Sequence, residues 1–174
     1  FQGYPDKNTI SAFSKDGKSI PDSAELLCHQ KHPVGYQTID KYLQREGFNP
    51  KSLEQEIYLS QVVQSIGYRT SIESHRLAIP RCMGTLYWQL NDCWPVASWS
   101  SIDWFGRWKA LHYFARRFFA PVAVTVVEDT KKGIVDLFVA NDLLASPAGT
   151  VRWILTDALG KTVASGVKKV KMQR

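Results

Sequence analysis

The sequence predicts an α/β segment followed by an all-β segment, and three observations carry that prediction. Apolar residues recur at helical spacing from the twenties into the seventies. Gly84 to Asn91 is a run of β-forming residues apolar on both faces. After Pro121, four strand-length runs alternate with turn residues.

Taken in order, Phe1 to about Pro21 reads as loop, with Gly3, Pro5, Asn8, Gly17 and Pro21 and no period. A short helix follows from Ser23 to Gln30. Gly35 to Glu46 places Ile39, Tyr42 and Leu43 on one stripe, with Gly47 where a helix C-cap stands. Ser52 with Gln55 three residues on is an N-cap signature. Leu53, Ile57, Val62, Val63, Ile66 and Ile72 then keep a helical period into the seventies, with Gly67 as the weak point. Pro80 ends that helix. Gly84 to Asn91 then reads as a buried parallel strand, because apolar residues on both faces call for helices covering both. A long aromatic loop spans Asp92 to Gly106. Trp108 to Phe119 forms a helix with Leu111, Phe114, Ala115 and Phe118 on one side.

Beyond Pro121, strands are predicted at Val122 to Val127, Ile134 to Ala140, Val151 to Thr156 and Thr162 to Val170. Lys131-Lys132-Gly133, Ser146-Pro147-Ala148-Gly149 and Asp157-Ala158-Leu159-Gly160 separate them. The pattern is that of an antiparallel sandwich, but four strands are too few to close one, since an immunoglobulin-like sandwich takes about seven. With no initial Met, the chain reads as cut at both ends.

Composition narrows the function. The chain has 174 residues, 44% hydrophobic and 22% charged, which is ordinary for a globular protein and excludes disorder and collagen. No apolar run approaches the roughly 20 residues that span a bilayer, and Phe1 to Pro5 has no signal-peptide character. The net charge of +6 is local: Lys161, Lys168, Lys169, Lys171 and Arg174 carry five positive charges with no acid among them. A Lys-rich final strand guards a sheet edge more readily than it grips phosphate, so no nucleic-acid partner is expected. Cys28, Cys82 and Cys93 show neither paired spacing nor a zinc pattern. His29 and His32 stand at i and i+3, a spacing compatible with one helical face, yet no third ligand accompanies them, and no metal is expected.

Function is expected where tryptophan clusters. Trp88, Trp94, Trp99, Trp104 and Trp108 fall within 21 residues. At the carboxyl end of a parallel strand, where ligands of such sheets bind, an indole offers a flat π-face. Gln89, Asn91 and Asp92 add hydrogen-bonding groups beside it. Flat apolar surface beside directional polar groups suits a sugar ring. Trp88 fits a site best, while Trp104 and Trp108 fit packing best. Asp92 and Asp103 are the only carboxylates near the cluster, and nothing in the sequence fixes their separation, so no acid/base pair is read from them. The residues alone yield a carbohydrate platform without visible catalysts, and they leave open a non-catalytic carbohydrate-binding module using the cluster or a structural piece with all six tryptophans buried.

Gly84-Thr85-Leu86-Tyr87-Trp88-Gln89-Leu90-Asn91-Asp92-Cys93-Trp94-Pro95, with Ser98-Trp99-Ser100-Ser101 and Gly106-Arg107-Trp108-Lys109-Ala110-Leu111-His112-Tyr113, closely resembles the β-mannosidases of glycoside hydrolase family 2. Phe1 to Pro5, His29 to Pro33 and the helix from Leu53 also resemble that family, so the likeness covers roughly residues 1 to 125. It implies that residues 1–119 are the carboxy-terminal part of a TIM-barrel catalytic domain, its last two βα units. Residues 120–174 would begin an immunoglobulin-like β-sandwich. It also implies a retaining exo-hydrolase acting on a terminal β-linked mannoside or manno-oligosaccharide, with no cofactor and an extracytoplasmic parent. Gly84 to Asn91 would be barrel strand eight and Trp88 the aromatic floor of subsite −1, with Asn91, Asp92 and Trp94 as weaker candidates for the pocket wall. The family's nucleophilic Glu would fall three residues before Phe1 and its acid/base Glu earlier still, so the chain alone is expected to be inactive. An open barrel edge and sheet edges imply exposed apolar surface and self-association.

Overall fold

The structure is a computed structural model that describes residues 1–14 and 23–172. Gly17, Pro21 and Arg174, used above, lie outside the described residues. The chain divides into two compact units, Phe1–Phe118 and Phe119–Arg174.

The first unit is helical, and its opening corrects the loop reading. Lys7–Phe13 forms α1, capped by Asp6, whose Oδ1 accepts from the Asn8 backbone and side-chain nitrogens at 2.9 Å each. An N-cap carboxylate satisfies a free helix N–H, and Ile10 drops into the core, which together outweigh the absence of a longer apolar period. Ala24–Cys28 forms α2 with Ser23 as its N-cap. It stops before His29, so His29 and His32 share no helical face.

Gly35–Arg45 forms α3, burying Ile39 and Leu43 and ending at Gly47, whose φ of 77° is the left-handed conformation expected at that position. Leu53–Leu77 forms α4. Ser52 Oγ accepts from Gln55 N at 3.3 Å, and Gln55 Oε1 reaches back to Lys51 N at 2.7 Å, one residue short of a full capping box. The helix runs unbroken through Gly67. Its stripe is less apolar than expected: Ile57, Val63 and Ile72 are buried, Ile66 is exposed, and Glu56, Ser60, Gln64 and Ser65 are buried among them. Ala110–Phe118 forms α5, which buries Leu111, Ala115 and Phe118 against Ile72 of α4, with Phe114 partly buried on the same side.

Gly84 to Asn91, expected as a strand, forms no strand pairing among the described residues. The segment has no regular secondary structure and is not covered on both faces. Thr85, Tyr87 and Gln89 are half-buried; Leu86, Trp88 and Leu90 are exposed, Leu86 at 98%. The alternation of a strand is therefore present without its ladder. A strand needs a hydrogen-bonded neighbour, and the described residues supply none.

The second unit contains two hairpins. Val122–Asp129 (β1) pairs antiparallel with Ile134–Asn141 (β2), and Ala148–Thr156 (β3) with Thr162–Lys171 (β4). Gly133 (φ 65°) and Gly160 (φ 83°) make the tight turns, as the turn residues predicted. Ala148 and Gly149, expected in a turn, instead open β3. Each sheet has two strands. Lys168, Lys169 and Lys171 lie on β4, an edge strand. Among the described residues no helix is long and apolar enough to cross a membrane.

Candidate functional site

The site is built from Gly84 to Asn91 outward. Trp88 is held from behind. Tyr87, beside it in sequence but on the opposite face, meets the Ser101 hydroxyl through its own at 2.8 Å and packs edge-on against Tyr68 of α4, ring centroids 5.5 Å apart. Tyr68 donates its hydroxyl to the Trp88 carbonyl at 2.8 Å. From the other side the loop returns: Ser101 N donates to the Gln89 carbonyl at 3.0 Å and Ile102 N to that of Leu90 at 2.9 Å. The backbone is pinned, while the indole, on the open face, is 69% exposed.

The loop after it is organised by a buried carboxylate. Asp92 is 4% exposed; its Oδ2 accepts from Ser98 Oγ at 3.0 Å and Ser100 Oγ at 2.6 Å, and its Oδ1 from Gln89 Nε2 at 3.2 Å. Two of the expected wall residues thus sit close to the indole in the chain, Asn91 exposed and Asp92 turned inward. Trp94 lies half-buried with a different set of rings: His29 stacks on Phe13 at 4.0 Å and tilts against Trp94 at 4.8 Å. The His29 ring fixes this arrangement through Nδ1, 2.6 Å from the Pro95 carbonyl.

Asp103, the other carboxylate of the window, anchors the turn that follows. Its Oδ1 accepts from Phe105 N and Arg107 N at 3.0 and 2.8 Å, and its Oδ2 accepts from Thr9 Oγ1 of α1. Both carboxylates are therefore occupied by the protein's own donors. None of the six tryptophans is buried, which overturns the reading in which all six are core. Trp104 and Trp108, expected to pack, are each close to half exposed, although Trp108 still meets His112 and Tyr113 edge-on.

Sequence reasoning missed the polar interior behind this loop. Gly3 and Ser98 pair as a bridge, Gly3 N to the Ser98 carbonyl at 2.8 Å and Ser98 N to the Gly3 carbonyl at 3.4 Å. Gln64 Nε2 of α4 donates to the carbonyls of Phe1 (3.2 Å) and Ser98 (3.4 Å), and the Ser60 hydroxyl accepts from Tyr4 N at 3.2 Å. The Lys109 ammonium donates to the carbonyls of Gly3 (3.0 Å) and Ser98 (3.1 Å). Burial pulls Lys109 down to about 8, against the opposing pull of the Asp92 and Asp103 carboxylates. Tyr4 and Tyr36, stacked at 5.0 Å, are pushed well above the usual phenol range, by burial first and then by the Glu56 carboxylate.

No family model matches the chain. Among known proteins, its relatives are glycosidases. A β-mannosidase of Capra hircus is 34% identical over 157 residues, covering 82% of this chain and 18% of that protein. A β-mannosidase of Mus musculus is 33% identical over 156 residues with the same shares. A β-mannosidase A of Neosartorya fischeri is 36% identical over 111 residues, 62% of this chain and 12% of that protein. The crystal structure of a β-D-mannosidase from Dictyoglomus thermophilum superposes with a TM-score of 0.84 at 30% identity, covering 99% of this chain and 21% of that one. This chain is a homologue of β-mannosidases, as its motifs implied, and the structural match extends through the sheet-rich tail. It spans about a fifth of the length of the Capra hircus, Mus musculus and Dictyoglomus thermophilum proteins and 12% of the Neosartorya fischeri one.

Proposed function

We propose that the chain is part of a retaining exo-β-mannosidase of glycoside hydrolase family 2, hydrolysing terminal β-linked mannose, and that Trp88 is the floor of its −1 subsite. The single observation that carries this reading is the exposed indole on a backbone pinned from behind by Tyr87 and Tyr68. A hexose presents C–H groups on its face and hydroxyls at its rim. A fixed, open π-surface meets the face while polar groups of the loop meet the rim. Asn91, Asp92 and Trp94 belong to the pocket wall in this reading, with Asp92 acting through the loop it holds.

Residues 1–119 are then the last two βα units of a TIM barrel, with Gly84 to Asn91 as strand eight, and 120–174 begin an immunoglobulin-like sandwich. The unpaired, alternating segment supports this assignment: its bare face is the one a barrel strand turns inward. Retaining cleavage needs two carboxyls about 5 to 5.5 Å apart. By the family pattern both Glu residues lie ahead of Phe1, and Asp92 and Asp103 are engaged in holding the loop. The 174-residue chain is therefore inactive alone and needs no cofactor. Its substrate is a mannoside or manno-oligosaccharide, its parent works outside the cytoplasm, and its open edges favour self-association.

The test is hydrolysis of an aryl β-mannoside. The 174-residue chain should give no rate above buffer, and the full-length protein of the same reading frame, bearing the upstream Glu residues, should be active. Turnover by the short chain, or none by the full-length protein, overturns the reading.

A further inference from the structure

Lys109 immediately precedes α5 and is 2% exposed. An ammonium taken out of water is costly unless fixed acceptors replace its hydration. Here the acceptors are two backbone carbonyls from segments far apart in sequence, Gly3 and Ser98, which already pair with each other. The Ser98 carbonyl gathers three donors: Gly3 N, Gln64 Nε2 and Lys109 Nζ. The path continues without a gap. The Ser98 and Ser100 hydroxyls bind Asp92, and the other Asp92 oxygen binds the side chain of Gln89, next to Trp88. The Asp92 and Asp103 carboxylates are the charges that act on the ammonium; Arg107, 3.9 Å from Asp103, stands behind the latter. The facing residues of α4, Ser60, Gln61 and Gln64, are neutral, as is Thr9 of α1.

We propose that Lys109 is a positioning residue: its ammonium locks the segment that opens the chain to the loop leaving Trp88. It thereby sets the offset between the opening segment at Gly3 and the indole floor. The second half of that statement rests on the reading of Trp88 given above. A backbone bridge alone would fix two carbonyls in register but leave them free to slide together. A charged donor shared between them, tied by Asp92 to the Trp88 segment, removes that freedom.

Two experiments separate the lock from the enzyme reading. In the 174-residue chain, the carbonyl carbon-13 shifts of Gly3 and Ser98 are followed by NMR from pH 7 to 10. They should move together with one midpoint near 8, and the step should vanish in Lys109→Arg, which stays charged. No step in the unaltered chain, or one that persists in Lys109→Arg, overturns the lock, and the unaltered chain decides this even if no variant folds. In the full-length protein, Lys109→Met should lower kcat for an aryl β-mannoside about tenfold or more while KM stays within about threefold, and Lys109→Arg should restore part of the loss. A folded Lys109→Met protein with kcat within about threefold of normal refutes the positioning role. If the full-length protein has no mannosidase activity, the reading of Trp88 fails while the carbonyl titration still settles the lock.

Discussion

Asp92→Asn changes one charge in the interior and almost no volume. In the native chain, Asp92 Oδ2 accepts from two serine hydroxyls and Oδ1 from the Gln89 amide. An asparagine keeps one oxygen for the serines but turns an NH2 toward the NH2 of Gln89, so a donor faces a donor. A hydrogen bond to a charged group contributes about 1.5–3 kcal/mol against about 1 for a neutral one, so losing one and weakening two costs about 3 kcal/mol. The Lys109 ammonium also loses a counter-charge. Asp92 acts on that ammonium without touching it and Asp103 still acts on it, so the lost attraction costs about 1–2 kcal/mol. The variant should therefore unfold about 4 kcal/mol more easily, which for a urea slope of about 2 kcal/mol/M moves the midpoint down by about 2 M. Urea unfolding followed by tryptophan fluorescence and circular dichroism measures it. A loss below about 1 kcal/mol would show that Asp92 is not the strut of this loop, and the wall of the site would need another support.

Trp88→Ala in the full-length protein should lower kcat/KM about 5- to 150-fold, the equivalent of about 1–3 kcal/mol of lost stacking. Because two thirds of the indole is already in water, the urea midpoint of the 174-residue chain should fall little; equal damage to both would refute a binding role. Gly35→Ala places a methyl carbon 1.8 Å from the end of the buried Gln2 side chain. That amide, with its oxygen facing the His32 and Lys31 backbone nitrogens, accepts from them at 3.0 and 3.2 Å. Displacing it should destabilise the chain by about 2–5 kcal/mol in urea unfolding, and an unchanged midpoint would mean that Gln2 moves freely. Lys109 releases its proton near 8 when folded and near 10.5 when unfolded, so between these values the unfolded chain binds more protons and stability rises with pH. Urea midpoints should climb from pH 7.5 to 9.5 and stay flat in Lys109→Arg. Above about 10 the raised Tyr4 and Tyr36 reverse the trend, because they hold protons that the unfolded chain gives up.

Much of the fold was legible because its signals are local. Gly47 after α3, Ser52 before α4 and the glycines of the two hairpins act within a few residues, and each stands where it was expected. The long-range parts were not legible. Gly84 to Asn91 carries the composition of a strand, but a ladder is made by a neighbour, and residue content says nothing of whether one is present. The interior of the site is polar, and hydropathy reads Ser60, Gln64 and Lys109 as surface. The carbonyls of Phe1, Gly3 and Ser98, brought together from distant parts of the unit, take the donors of Gln64 and Lys109, and the Ser60 hydroxyl is satisfied by Tyr4 N and the Ile57 carbonyl. A lysine directly before an amphipathic helix looks like any solvated residue. Trp88 drew attention in the sequence because aromatic clustering beside amides is itself a chemical pattern, and the structure leaves its indole exposed.

The alternation between Gly84 and Asn91 leaves this stretch with no tolerance for a change in length. Deleting any one residue between Gly84 and Tyr87 would rotate the following side chains by half a turn. The phenol that now grips Ser101 would swing into solvent, and the tryptophan would be driven toward α4, where Tyr68 already stands. Substitutions in this stretch alter one contact each, whereas a lost or added codon would exchange the inside of the site for its outside.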